Sequence, residues 1–185
     1  MSEQEKALLK RCKRGDKAAF EQIVNTYMRR AYFAALSLVG NREDALDLSQ
    51  EAFANAYRFI RRFDTGHDFY PWLYRIIKNL CMSHLRKKKR REAILPRESD
   101  PEIAFETTPA GEEPSLVPES GEMKEKLWEA IRELPDTEKE VIVLKHFQEM
   151  SYKQIAASVG CPIGTVMSRL YSARKRLRKK MEKYL

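Results

Sequence analysis

Glycine, cysteine and long apolar runs are all scarce in this chain, and each scarcity excludes something. Seven glycines among 185 residues, with apolar residues recurring at helical spacing and no persistent alternation, argue against a sheet and for an all-α protein. The three cysteines, Cys12, Cys81 and Cys161, are odd in number and form no C-x-x-C pair, and the three histidines lie far apart. Neither a disulfide framework nor a metal site is expected; the thiols read as small apolar side chains in a reducing cytoplasm. No stretch approaches the ~18 apolar residues of a membrane span, and the longest, AYFAALSLVG from Ala31, is too short. The opening MSEQEKALLKRCKRGD has no apolar core with a cleavage site, so no signal peptide is expected. These absences predict a cytoplasmic protein without membrane insertion. There is no G-x-x-x-x-G-K-[ST] loop, no H-E-x-x-H and no Ser/His/Asp set, so neither an enzyme nor a cofactor is expected.

What the chain has in quantity is positive charge. Lys plus Arg number 35 against 27 Asp plus Glu, a net charge of +8 and a pI near 9.4, which suits a polyanionic partner. The charge is unevenly placed. From Pro96 to Glu122 one basic residue faces eight acidic ones, a local net of −7 that leaves +15 for the remainder. The same stretch holds five of the eight prolines, the composition of a flexible or extended linker. The expected organisation is therefore two basic helical domains, 1–94 and 123–185, joined by an acidic linker, 95–122.

The segment SYKQIAASVGCPIGTVMSRLYSARKRLRKK, from Ser151 to Lys180, reads as a DNA-binding helix-turn-helix. Ser151 and Gln154 have the capping-box spacing. Ile155 and Val159 share one face of the short helix. Gly160 suits its left-handed end, and Pro162 suits the first turn of the next helix. That helix repeats Val166, Leu170, Ala173 and Leu177 as a buried stripe. Thr165, Ser168, Arg169, Tyr171, Ser172, Arg174, Lys175, Arg176 and Arg178 fall on the other side. A helix apolar on one side and lined with hydroxyls and guanidiniums on the other is what major-groove reading requires. Upstream, Met123–Leu134 is expected to be helical and broken by Pro135, and Thr137 with Glu140 has the spacing to cap the next helix.

In the N-terminal domain, Ser2 and Glu5 have capping-box spacing. A helix after Asp16 is expected to bury Phe20, Ile23, Val24, Tyr27, Ala31, Ala34 and Leu38, ending at Gly40. A second, Arg42 to Arg62, turns Ala45, Leu48, Ala52, Ala56 and Ile60 inward. Its polar side carries Asp44, Asp47, Gln50 and Glu51; an acidic stripe in a basic protein is either a solvated face or a protein interface. A loop, Phe63 to Pro71, precedes a helix from Pro71 into the basic run Arg86 to Arg91. Phe63, Phe69, Tyr70, Trp72 and Tyr74 alternate here with Arg61, Arg62, Arg75 and Lys78, so that rings can stack unpaired bases while cations hold phosphates. Some of the rings, Phe63 and Trp72 above all, read as core beneath the loop. Asn79 can pair with a base edge.

Taken in order, DALDLSQEAFANAYRFIRRF, PWLYRIIKNLCMSHLRKKKRR and LPDTEKEVIVLKHF with the helix-turn-helix after it resemble the extracytoplasmic-function group of bacterial sigma factors, over nearly the whole chain. The resemblance implies a transcription initiation factor that recruits core RNA polymerase to promoter DNA. Asp47, Gln50 and Glu51 match the D-x-x-Q-E motif that docks on the β′ clamp helices; contact with the β subunit is also implied. The Phe63–Pro71 loop, with Phe63, Asp64, His67, Phe69 and Tyr70, matches the loop that captures an extruded minus-10 base, aided by Trp72, Arg75 and Asn79. Thr165, Met167, Ser168, Arg169, Tyr171, Ser172 and Arg174 match the reader of the minus-35 element. Two residues depart from the family pattern: Met167, where Lys or Arg is usual, and Pro71, where Thr is common. The resemblance also admits an anti-sigma factor as a partner. The acidic linker matches the segment that threads toward the polymerase cleft, and in the free protein it could mask the DNA contacts of the basic domains. A stand-alone helix-turn-helix regulator would explain Ser151–Lys180 but not the aromatic loop or the acidic stripe.

Overall fold

Ser2 opens the chain's first helix by accepting a hydrogen bond from the Glu5 N–H at 3.1 Å. In this computed structural model, which describes residues 2–94 and 121–184, every regular element among the described residues is helical. The chain divides into two units, within residues 1–107 and 108–185. Expectations about the acidic linker fall on 95–120, outside the described residues.

The first unit contains α1 (Glu3–Lys13), α2 (Lys17–Val39), α3 (Arg42–Phe59) with a short 3-10 turn (Ile60–Arg62), and α4 (Phe69–Ile94). The Ser2 capping box is only half made, because the Glu5 carboxylate accepts from the Tyr27 hydroxyl at 2.5 Å instead. That bond ties α1 to α2. Asp16 caps α2 by accepting from the Ala19 N–H, and Arg11 pairs with the same carboxylate at 2.8 Å. The N–H first and the guanidinium second hold the Asp16 carboxyl below its ordinary range. Gly40 closes α2 at φ 74°, left-handed as expected. Along α2, Phe20, Ile23, Tyr27, Ala31 and Ala34 are buried, but Val24 and Leu38 are half-exposed and Ala35 and Leu36 are inside. The reason is that α2 packs against α1, α3 and α4, so its buried face is wider than a single stripe.

On α3, Ala45, Ala52 and Ala56 are fully buried. Small side chains there let the neighbouring helices approach closely. The helix tightens into the 3-10 turn before Arg62 rather than continuing as an α-helix. α4 begins at Phe69, two residues before the expected Pro71, because proline is tolerated in a first turn, where an N–H has no helical partner. Phe69, Leu73, Tyr74, Ile77 and Cys81 line its inner side. Burial pushes the Cys81 thiol up to about 12 and raises that of Cys12, so both act as small apolar groups.

The second unit contains α5 (Gly121–Arg132), α6 (Asp136–Ile142), a π-helical turn (Val143–Phe147), α7 (Tyr152–Val159) and α8 (Ile163–Met181). Thr137 does not cap α6. Pro135 takes the N-cap position, and its carbonyl accepts from the Glu138 and Lys139 N–H groups at 2.8 and 2.9 Å. The capping box of α7 is complete: Gln154 N–H donates to Ser151 Oγ at 3.2 Å, and Ser151 N–H donates to Gln154 Oε1 at 2.8 Å. Gly160 at φ 72° ends α7, and Pro162 flanks α8 as its N-cap. Val166, Leu170 and Ala173 are buried on α8, as is Met181, while Leu177 is half-exposed. On α7, Ile155 is joined inside by Ser158, and Val159 is half-exposed. Among the described residues no helix is long and apolar enough to cross a membrane.

Between the π turn and α7, Glu149 sits at φ 52°, the one non-glycine in the left-handed region among the described residues. That conformation costs an L-residue ~1–2 kcal/mol, partly offset for glycine by its greater unfolded-state entropy. Glu149→Gly should therefore stabilise the second unit by ~0.5–1 kcal/mol. Urea denaturation monitored by Trp128 emission in a Trp72→Phe background would measure the gain; an unchanged midpoint would show that the turn is not strained.

Candidate nucleic-acid interface

Lys13, at the end of α1, donates its ammonium to the Phe63 carbonyl at 2.8 Å across fifty residues. This bond pins the start of the loop that leads into α4. The loop then folds on itself. Asp64 accepts the Gly66 N–H at 2.9 Å, and His67 Nε2 lies 3.6 Å from the same carboxylate. Asp64, Gly66 and His67 are exposed.

The rings of this segment lie mostly beneath it. Phe63, Phe69, Tyr70 and Tyr74 are buried; Trp72 is half-exposed, with ring centroids 5.0 Å from Phe63 and 5.5 Å from Phe69. Tyr27 stacks on Tyr70 at 5.5 Å. The Arg30 guanidinium lies 3.8 Å above the Tyr70 ring, and the Tyr70 hydroxyl donates to the Arg30 carbonyl at 3.2 Å. Burial raises both phenols well above the ordinary tyrosine range. The reading of Phe63, Phe69 and Tyr70 as DNA-stacking rings is corrected accordingly: they are wall and floor of the core, and only Trp72 presents part of its ring. The reading of Phe63 as core holds. Trp72, Arg75 and Asn79 continue along α4 to Met82 and Arg86 at helical spacing, and Arg75, Asn79, Met82 and Arg86 are all exposed. Sequence reasoning misses Met82 and Arg86, although their three- and four-residue spacing from Asn79 places them on the same ridge.

On α3, Asp47, Gln50 and Glu51 are exposed together on one side, next to Leu46, which is 47% exposed. Asp44 differs from them: His84 of α4 reaches its carboxylate at 3.2 Å. The acidic stripe thus separates into a member engaged within the fold and three that face outward beside an exposed leucine. An apolar side chain rimmed by acids fits a protein surface better than a nucleic acid.

The outer side of α8 is shaped by its two flanks. Met167 and Tyr171 are 54% and 70% exposed, and Ser168 is exposed between them. Thr165 and Ser172 are half-exposed. Arg169 leans back toward the turn, its Nη1 3.9 Å from Cys161 Sγ. Arg174 Nη2 approaches His146 Nε2 at 3.2 Å. Arg176, expected on the open side, is held by Glu138 at 3.1 Å. Glu138 is largely buried, and this ion pair lacks hydrogen-bond geometry at Oε2. Among the described residues no cluster of His, Cys, Asp and Glu could hold a metal ion.

Comparison with known proteins places both units. Residues 23–91 match the model of Sigma-70 region 2, and residues 124–177 match that of Sigma-70, region 4. The chain is 33% identical to the RNA polymerase sigma-H factor of Pseudomonas aeruginosa over 99% of its own length and 96% of that protein. It is 34% identical to the ECF RNA polymerase sigma factor SigW of Bacillus subtilis, over 95% of this chain and 96% of SigW. Among solved structures it resembles the sigma factor RpoE of Bartonella quintana, crystallised with the anti-sigma factor NepR. The TM-score is 0.68 and the identity 26%, covering 88% of this chain and 96% of that one.

If Lys13 fixes the loop, Lys13→Met should loosen it without unfolding the helices. In a Trp128→Phe background, Trp72 emission should become more accessible to acrylamide, with about 1 kcal/mol lost in denaturation. Unaltered quenching would show that the packing of Phe63 alone holds the loop.

Proposed function

Because the chain belongs to the sigma-70 family of RNA polymerase sigma factors, in its extracytoplasmic-function group, we propose that its two units divide the work of promoter recognition between them. In this reading residues 1–94 dock on core polymerase and engage the opened minus-10 element, residues 123–185 read minus-35 duplex, and 95–122 form the acidic connection. The observation that carries the reading is the outer side of α8. The helix is buried at Val166, Leu170 and Ala173 and offers Met167, Ser168 and Tyr171 to solvent, the disposition of a helix that enters a major groove.

On the minus-35 side, Ser168 and Ser172 are suited to base edges and phosphates, and the Tyr171 ring and the Met167 thioether to thymine methyl groups. Thr165 and Arg174 lie toward the flanks, where strand backbones pass. Arg169 reads a base only if DNA draws it off Cys161.

On the minus-10 side, extruding a base costs a few kcal/mol that the protein must recover. With Phe63, Phe69 and Tyr70 buried, recovery falls to the exposed ridge. Asp64 and His67 supply polar contacts, the half-exposed face of Trp72 supplies stacking, Asn79 reads an edge, and Arg75 takes phosphate. Asp47, Gln50 and Glu51, beside Leu46, serve as the docking surface for the β′ clamp helices, with further contact to the β subunit. The chain contributes no chemistry of its own; polymerase makes the RNA, in the cytoplasm and with no cofactor held by this protein. The RpoE relative was crystallised with an anti-sigma factor, which supports a partner of that kind here.

The direct test is reconstituted transcription. Purified protein is combined with bacterial core RNA polymerase and a randomised promoter library, and the transcripts are sequenced. Starts at a fixed distance below a two-part motif are expected; DNA binding by the protein alone with no transcripts would favour a stand-alone regulator. Asp47→Ala should weaken assembly with core polymerase at least several-fold while leaving the thermal transition in place. A melted first unit would make Asp47 structural. Tyr171→Ala should weaken binding by ~1–3 kcal/mol and relax the preference at one minus-35 position. Uniform weakening at every position would mean that the ring does not read sequence.

A further inference from the structure

Arg174 is held from behind. Its Nη2 lies 3.2 Å from Nε2 of His146, and a guanidinium has only donors. The imidazole must therefore present a lone pair at Nε2 and carry its proton on Nδ1. His146 can reach α8 because it lies in the π-helical turn Val143–Phe147, where the Gln148 N–H bonds to the Val143 carbonyl at 3.1 Å. One added residue in a turn rotates the succeeding side chains by roughly 100° relative to an uninterrupted α-helix.

The charged groups acting on the ring are Arg174 from α8 and Lys145 from its own turn. From α7, Tyr152 packs its ring 5.2 Å from the Lys145 ammonium. Burial first, then the two cations, hold His146 below its ordinary value of 6.5, so near neutrality it is an uncharged acceptor. Arg174 is itself exposed, on the flank of the outer face of α8. It has one hand on the protein and the other available to a phosphate.

We propose that His146 is a positioning residue for DNA recognition: as a neutral acceptor it holds the Arg174 guanidinium in place for a backbone phosphate, and on protonation it releases it. The proposal rests on the sigma-factor reading of α8. It adds a residue outside the helix-turn-helix that sets how α8 meets DNA, and it makes that meeting dependent on pH.

The sign comes from the direction of the shift. Folding keeps the ring neutral, so the unfolded chain binds more protons once the pH falls below about 6.5. The stability contributed by this side chain is whole above that value and is lost as pH falls through the folded pKa. The Arg174 contact is lost over the same interval.

The test uses holoenzyme assembled from the full chain and core polymerase, binding the promoter duplex selected by reconstituted transcription. His146→Leu removes the acceptor; His146→Gln keeps one that does not titrate. At about pH 7.5, His146→Leu should bind about threefold to tenfold more weakly and reduce the salt slope by about 1, while His146→Gln stays near wild type. On acidification wild-type binding should weaken and His146→Gln should hold level, with Trp128 emission confirming that the second unit stays folded. In an Arg174→Ala background the His146 substitutions should have no further effect, a comparison that remains decisive if His146→Leu folds poorly.

Full affinity and salt slope in His146→Leu would overturn the proposal, as would additive losses in the double variants. Wild-type binding that tightens on acidification would overturn it too, by making His146 itself the phosphate contact. A wild-type holoenzyme with no promoter-specific binding would remove the sigma-factor reading and this inference together. Promoter-specific binding that ignores His146 removes the inference alone.

Discussion

Everything in the first unit is arranged around one cation and the rings beneath it. Arg30 lies over Tyr70, Tyr70 stacks on Tyr27, and Tyr27 touches Phe69, which packs against Phe63 and Trp72. The chain of contacts runs from the middle of α2, through the start of α4, to the loop between α3 and α4. Its polar ends are tied as well, Tyr27 to Glu5 of α1 and Tyr70 to the Arg30 carbonyl. A cation desolvated over a ring is worth more than one in water, on the order of 2 kcal/mol rather than about 0.5–1. Its larger effect is geometric. Because the rings meet edge to face or offset, they fix the angle at which α4 leaves the loop, and that angle sets where Trp72, Arg75 and Asn79 point.

This arrangement answers a problem that the composition poses. A protein with 35 basic side chains that must meet a polyanion has to keep most of them at the surface, where they repel one another. The few cations drawn inward are each given a specific partner: Arg30 the tyrosine face, Lys13 the Phe63 carbonyl, Arg176 the carboxylate of Glu138. The rest, from Arg86 to Arg91 and along α8, are left largely to solvent. Exposed charges contribute little to folding and much to attraction of a charged ligand, so the division between buried and exposed cations is also a division between structure and function.

Legibility in the sequence divides along the same line, between local and distant causes. The helix-turn-helix is legible because its determinants are local. Ser151 caps through Gln154 three residues on, Gly160 supplies a left-handed residue at one position, and the stripe from Val166 recurs every three or four residues. The expected α6 cap fails on a local detail. Thr137 and Glu140 have the right spacing, but Pro135 fixes its own φ at −52° and starts the helix two residues earlier. The exposed acids of α3 are legible as a stripe, yet the separation of Asp44 from Asp47, Gln50 and Glu51 is not, because His84, forty residues away, makes it. The aromatic loop misleads for the same reason. Rings interleaved with cations have one pattern whether they face bases or core, and only the positions of Tyr27 and Arg30, two turns and more into another helix, decide which.

The second unit shows how a distant cause can still leave a trace. The π turn is an irregularity within one continuous helical run, and no periodicity announces it. Its consequence is visible two residues later, where Glu149 takes a left-handed backbone that glutamate does not favour. The chain tolerates this because the alternatives are worse. A regular α-helical turn through Val143–Phe147 would rotate Leu144 or Met150 out of the core, and both are almost completely buried. Losing either would cost on the order of 2–5 kcal/mol, against ~1–2 kcal/mol for the strained residue. The same rotation turns His146 toward Arg174. A packing requirement of the core thus places the one imidazole of this unit against a cation of the DNA-facing helix, and the function of α8 becomes coupled to a turn that precedes it by some twenty residues.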